Sequence, residues 1–319
     1  MSGYVEEHAD KVRLAAERIH GKVRRTPALA TDLDSSLCLK PECFQVTGSF
    51  KPRGAFNAIL GLVARGARPS GVIAVSSGNH AQAVALAAGS VGIPALILIP
   101  EDANPSKVAA TRALGAEVIQ QGITFANREE RLREVMAVRG YVLVHPFDDW
   151  DVIHGQGTAV RELLADEPDL DVVATPVGGG GLLAGSSISS KAHRAGIKVV
   201  GVEPVAANDA YQTWKAGAIK SLPESPTTLA DGVRTTHVGE RNFEVMFEKG
   251  LVDEIVTVTE EEIAEAVKLA WSRLRLALEP TGALPLAAFI SGKLPKGRTG
   301  LLLSGGNANL QTVATILSK

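Results

Sequence analysis

Uninterrupted apolar runs recur along the chain, each followed by alanine-rich sequence compatible with a helix. Residues 72–75 (VIAV), 95–99 (ALILI), 117–119 (EVI) and 141–144 (YVLV) make one set. Residues 171–177 (DVVATPV), 199–202 (VVGV), 255–258 (IVTV) and 300–303 (GLLL) make a second. A strand with one wet face alternates apolar and polar residues, whereas a strand covered on both faces does not, so these runs predict parallel sheets layered between helices. Helices are expected near 80–88 and 106–114 and over the N-terminal segment, where Val5, Val12, Ala16 and Ile19 form an apolar stripe. Thr259 with Glu262 reads as a capping box opening a further helix, and Gly115 as the end of one.

This alternation defines an α/β fold of open, twisted parallel sheets. A chain of 319 residues exceeds what one core usually serves, so two domains are expected. The strand and helix series between about 73 and 145 is self-contained. It predicts a small inserted domain at 66–149 within a large domain built from 1–65 and 150–319.

The formal charge of -2 leaves no basic footprint for nucleic acid or for a membrane surface. The charged N-terminus lacks a signal-peptide core, and the most apolar region, 81–100, is broken by Gly89, Gly92 and Pro94, so a cytoplasmic protein is expected. Cys38 and Cys43 are too few for a disulfide scaffold or a zinc site and read as packing residues. Small-molecule partners fit this balance best.

Three glycine- or serine-rich stretches follow predicted strands. VGGGGLLAG (177–185) precedes a helix; backbone N–H groups turned inward there, with the positive end of the helix behind them, suit a phosphate, although a tight turn alone would also need one or two glycines. No Gly-Lys-Ser/Thr follows and the dinucleotide register is absent, which disfavours nucleotide triphosphates. SSGNH (76–80) opens a helix and forms a cradle for a carboxylate, or else a simple N-cap. LLLSGGNAN (301–309) delivers Ser304 to the carboxyl edge of a sheet, where ligands bind in open α/β folds. Lys51, in TGSFKPRGAFNAIL (47–60), lies among apolar neighbours that would lower its pKa and make it a nucleophile; a lysine snorkelling from a helix start is the plain alternative. Arg53 reads as the structural charge of the two.

TGSFKPRGAFNAI, SSGNHAQAVALAA, VGGGGLLAG and LSGGNAN, with GVEP and EPTGA between the last two, resemble the fold type II pyridoxal-phosphate enzymes (tryptophan synthase β-like fold). Within them they resemble the serine/threonine dehydratase and serine racemase group. SSGNH with four glycines is unlike the TSGNTG-type loop of the cysteine synthases. The resemblance implies that Lys51 holds pyridoxal 5'-phosphate as an internal aldimine, that Phe50 and Asn79 flank its ring and 3-hydroxyl, and that Gly178, Gly179, Gly180, Gly181 and Leu182 bind its phosphate. Ser304 would meet the pyridine nitrogen, a neutral partner that suits β-elimination. Ser76, Ser77, Asn79 and His80 would receive the substrate carboxylate, and Ser77 is the acid or base of the opposite face in racemases of the group.

The implied activity is an ammonia-lyase converting L-threonine or L-serine to a 2-keto acid and ammonia. The alternatives are an amino-acid racemase or a hydroxyaspartate dehydratase on the same scaffold. Glu203, the Ala207 carbonyl and Asp209 match the group's Mg²⁺ or Ca²⁺ site, and a homodimer is expected. Departures are Cys43 in place of asparagine, Pro52 directly after the lysine, and Phe147 at a position that is polar in animal racemases. Arg128 stands at a spacing before His145 similar to a substrate-closing arginine.

Overall fold

The computed structural model describes residues 2–318 apart from 68, 104 and 125. After α1 (Ser2–Arg18), the chain forms β1 (Leu29–Ala30), β2 (Leu37–Pro41) and α2 (Lys51–Ala64). A βα series follows: β3 (Val72–Val75), α3 (Asn79–Gly89), β4 (Ala95–Leu98), α4 (Pro105–Ala113), β5 (Glu117–Ile119), α5 (Arg128–Arg139) and β6 (Val142–Leu143). The rest comprises α6 (Trp150–Asp166), β7 (Val172–Pro176), α7 (Gly181–His193), β8 (Lys198–Pro204), α8 (Asp209–Ala216), α9 (Glu240–Phe243), β9 (Glu254–Val258), α10 (Glu260–Leu269), α11 (Leu284–Ile290), β10 (Thr299–Leu303) and α12 (Leu310–Leu317).

Two sheets result, in the orders β1-β2-β10-β7-β8-β9 and β5-β4-β3-β6. Every pairing is parallel except that of β1 with β2. The uninterrupted apolar runs have the predicted cause. In β7, Val173 faces the core packed by α6 and α7, while Val172 and Ala174 face the core packed by α10 and α11. Leu302 and its neighbours Leu301 and Leu303 divide in the same way in β10. Helices α6 and α7 cross so closely that a Cβ on Gly185 would run into the carbonyl of Ile153.

The third core joins the four-stranded sheet to elements outside it. Ala55, Phe56 and Ile59 of α2 and Val152 of α6 pack with Val72, Ala81, Val84 and Ile97. The capping box is present: Thr259 Oγ1 accepts from the Glu262 N–H and Glu262 accepts from the Thr259 N–H.

Strands β1 and β2 are not among the apolar runs of the sequence. In LCLKP, Lys40 and Pro41 break the pattern, yet both are buried; Lys40 is tolerated because Nζ donates to Glu162 at 2.7 Å and to the Thr26 carbonyl at 2.6 Å. The two cysteines are a buried Cys38 and a half-buried Cys43, and burial pushes both thiols up to about 11. No described helix is long and apolar enough to cross a membrane.

Candidate active site

Strand order places the ligand-binding loops. In the larger sheet β8 and β9 succeed β7 on one side while β10 lies on the other, so the winding reverses between β7 and β10. The loops that leave this reversal are 177–180 and 304–309. In the smaller sheet β4 and β5 lie on one side of β3 and β6 on the other, and the loops at that reversal are 76–78 and 144–149. Such crevices are the standard ligand sites of open parallel sheets. All of the glycine- and serine-rich stretches singled out in the sequence lie at one or other of them.

Lys51 opens α2, is half-buried, and directs Nζ onto the Pro146 carbonyl at 2.7 Å and over the Phe50 ring at 5.1 Å. Burial pulls its pKa down to about 8, against a smaller opposing pull from the Glu279 carboxylate. The Phe50 N–H donates to the Ser304 carbonyl at 3.0 Å, and the Gly306 N–H to the Gly48 carbonyl at 2.9 Å, which holds the Lys51 and Ser304 loops edge to edge. Ser304 is buried.

Phe147, one residue after the carbonyl that receives Lys51, packs against the glycine loop. A Cβ on Gly179 would overlap its ring, and one on Gly181 would lie 2.8 Å from its carbonyl oxygen. Gly180 has φ +99° and no room for a side chain, with Asn242 2.8 Å from any added Cβ. Asn242 Nδ2 donates to the Gly179 carbonyl at 2.7 Å and to the Phe147 carbonyl at 3.1 Å. Helix α7 begins buried, at Gly181, Leu182 and Leu183, and no side chain caps it. Its first N–H groups are left without a side-chain acceptor among the described residues, which fits a bound phosphate.

Across the crevice, Ser76 Oγ accepts from the Gly78 N–H at 3.2 Å, Ser77 is exposed and Asn79 starts α3. The His80 imidazole does not join them. It is buried, its Nε2 meets the Val144 carbonyl at 2.8 Å, and burial drives its pKa to about 3, so the ring is neutral, with Nδ1 buried and without a partner among the described residues. His145 Nδ1 accepts from the Asp148 N–H at 2.7 Å. Arg128 opens α5 and lies 3.7 Å from Glu129.

Two residues had no role assigned from sequence. Glu279, in the EPTGA run, is buried at the crevice; its Oε1 accepts from Asn79 Nδ2 at 2.8 Å. Burial, reinforced by Asp231, raises its pKa to about 7 against the opposing pulls of Lys107, Asn79 and Lys51. Asn307 Nδ2 donates to Asn79 Oδ1 at 2.7 Å and to the Thr47 carbonyl at 2.6 Å. The sequence signal for both was composition alone: a glutamate and an asparagine set in otherwise small or apolar loop runs.

Below Lys51, Arg53 is completely buried. Its Nε and Nη2 donate to the two Glu42 oxygens at 2.8 Å each, and its Nη1 and Nη2 to the two Glu162 oxygens at 2.8 Å each. Thr26 Oγ1 adds a bond to Glu42 at 2.6 Å.

Glu203 and Asp209 lie apart from the crevice, at the end of β8 and the start of α8. Both are buried; the Glu203 carboxylate accepts from the Tyr211 N–H at 2.6 Å, while neither Asp209 oxygen has a partner among the described residues. Burial pushes both acids up, with Asp209 beside it adding to the rise at Glu203, and Asp209 reaches about 7. Ala207 is buried in the turn between them. Two sealed carboxyls without a basic side chain paired to them among the described residues fit a hard divalent ion, which would satisfy the orphaned oxygens.

The family of pyridoxal-phosphate dependent enzymes matches the chain over residues 21–305. An L-threo-3-hydroxyaspartate ammonia-lyase of Saccharomyces cerevisiae is 41% identical over 311 residues, covering 95% of this chain and 94% of its own. A serine racemase of Schizosaccharomyces pombe is 39% identical over 317 residues, 97% of each chain. The solved T.th. threonine deaminase superposes with a TM-score of 0.89 at 48% identity, covering 94% of this chain and 98% of its own. The chain belongs to the pyridoxal-phosphate dependent enzymes and has their type II fold of two parallel-sheet domains.

Proposed function

We propose that this member of the pyridoxal-phosphate dependent enzymes is an ammonia-lyase for a small β-hydroxy-α-amino acid, L-threonine or L-serine, releasing a 2-keto acid and ammonia. The observation that carries the reading is the convergence on one crevice of an amine of lowered pKa (Lys51), an uncapped helix start (Gly181) and a second helix start lined with hydroxyls (Ser76 to Asn79). Lys51 would hold the cofactor aldehyde, Gly178 to Gly181 and Leu182 its phosphate, Ser304 its ring nitrogen, and Phe50 and Asn79 its ring. Bound there, the cofactor supplies an electron sink for negative charge at the substrate Cα.

Each residue then has a task its surroundings support. The N-terminus of α3 with Ser76, Ser77 and Asn79 binds the substrate carboxylate through N–H and O–H donors. The Lys51 amine, with a pKa of about 8, is partly neutral at physiological pH and takes the Cα proton. Ser304 cannot ionise near neutrality, so beside the ring nitrogen it would leave that atom uncharged and restrain the sink, which would favour loss of the β-hydroxyl over transamination.

A second reading, 3-hydroxyaspartate elimination or serine racemisation, is favoured by the exposed Ser77 hydroxyl and by the names of the relatives. A divalent cation held by Glu203, Asp209 and the Ala207 carbonyl belongs to the same proposal.

The test is a panel of L-threonine, L-serine and L-threo-3-hydroxyaspartate, scored for keto acid, ammonia and change of configuration. Keto acid from threonine or serine, with unreacted substrate keeping its configuration, is the expected result. Inversion of serine outpacing elimination, or turnover of hydroxyaspartate alone, would replace this reading with the second. Loss of the visible absorbance band in Lys51→Ala is expected as well.

A further inference from the structure

The four side-chain and backbone groups around Asn79 form a chain whose direction is set at one end. The Thr47 carbonyl can only accept, so Asn307 must present Nδ2 to it. The second hydrogen of that same Nδ2 goes to Asn79 Oδ1, and Asn79 is thereby left to present Nδ2 to Glu279 Oε1. No flip of either amide satisfies the chain in reverse, because a carbonyl would then face the Thr47 carbonyl. Glu279 Oε1 lies so close to Gly305 that a Cβ there would come within 2.6 Å of it, and the Gly305 carbonyl accepts from the Glu279 N–H at 3.1 Å.

An amide nitrogen has two hydrogens, and Glu279 uses one of them. The other makes Asn79 a donor with no acceptor of its own among the described residues, at the mouth of the helix that starts the carboxylate cradle. We infer that Glu279 and Asn307 are positioning residues: with the Thr47 carbonyl they lock the Asn79 amide so that it offers the crevice an N–H and never a carbonyl, which selects an acceptor oxygen as its ligand.

This inference rests on the cofactor reading above, in which Asn79 flanks the cofactor ring; the oxygen would be the ring's 3-hydroxyl in its ionised form. It goes further by naming what fixes the donor. The relay also crosses between the sheets, since Asn79 follows β3 while Thr47, Glu279 and Asn307 come from loops beside the larger sheet. The donor is therefore assembled only when both walls of the crevice are in register.

The experiment uses the apo full-length chain and added pyridoxal phosphate, and it reads the dissociation constant and the pH titration of the visible band. Asn307→Leu removes the pin, and Glu279→Leu removes the acceptor. Either is expected to weaken cofactor binding about tenfold to a hundredfold, the range for one hydrogen bond to a charged group, and to move the band's titration to higher pH. Glu279→Gln can still accept from Asn79 while Asn307 holds the amide, so its band is expected to shift less than that of either leucine variant. It serves as the folded probe if a leucine variant fails to fold: a band shifted as far as that of Asn79→Ala would overturn the relay.

In an Asn79→Ala background the further loss from Asn307→Leu should vanish, because Asn307 acts through Asn79. Equal losses with and without Asn79, or unchanged binding and titration in folded leucine variants, would overturn the inference while leaving the cofactor reading intact. Absence of any band in the parent protein would instead refute the cofactor reading itself.

Discussion

Replacing Arg53 with methionine tests how the reactive helix is held. Arg53 and Lys40 carry two positive charges and Glu42 and Glu162 two negative ones, so the buried group is neutral as a whole. Without the guanidinium, Lys40 still pairs with Glu162, and Glu42 is left fully buried with only the Thr26 hydroxyl. Breaking a buried pair from one side costs about 3–5 kcal/mol because the remaining charge has no partner. For a chain of this size that corresponds to roughly a 5–7 °C fall in Tm.

The pH dependence carries a sign. In the parent protein burial would raise the Glu42 pKa, but Arg53's charge and hydrogen bonds more than offset it and hold it below the ordinary range. Its stabilising contribution is thus present above the unfolded pKa and is lost only as pH falls through the folded value. In Arg53→Met the acid is buried alone and its pKa rises, so its contribution is lost as pH rises. The gap in Tm should be widest near pH 7.5 and narrow towards pH 5 in calorimetric scans. A gap that widens on acidification, or a variant within about 2 °C of the parent at pH 7.5 by the same conversion, would refute this reasoning.

Three further outcomes are expected. With the cofactor removed, the rate at which pyridoxal phosphate is captured should rise with pH and level off just above the Lys51 pKa of about 8, where an ordinary lysine would still be gaining; stopped-flow absorbance follows it. A chelator should lower Tm, Mg²⁺ or Ca²⁺ should restore it, and Asp209→Asn should abolish the response, since it replaces one of two buried carboxyls with an uncharged amide. Gly179→Ala drives a methyl into the Phe147 ring and should cost about 1–3 kcal/mol in urea unfolding, part of it recovered in Gly179→Ala with Phe147→Ala.

The strands that carry the crevice were legible because burial on both faces removes polar residues, leaving runs such as VIAV and GLLL that need no partner to be read. Strand β2 was not, because its burial of Lys40 depends on Glu162, distant in sequence, and no local pattern announces a paired charge. The glycine loop was legible as a turn near a helix start, but the demand for glycine at position 179 comes from Phe147, brought in by the other sheet. His80 shows the opposite limit: its place in SSGNH implied a role at the substrate carboxylate, but not that the fold gives its Nε2 the Val144 carbonyl as partner. Glu279 was visible as a letter within EPTGA, while its neighbours Asn79 and Asn307 are assembled only by folding.

Helix α2 bears Lys51 at its start and gives Ala55, Phe56 and Ile59 to the core of the four-stranded sheet, with Val152 of α6 closing the same core. A fragment limited to 66–149 would therefore lack one wall of its own interior, and the remainder would expose that wall to water. Chimeras that exchange the small sheet between relatives have to bring α2 with it. The reactive amine and the surface that closes over the crevice are thereby inherited as one block.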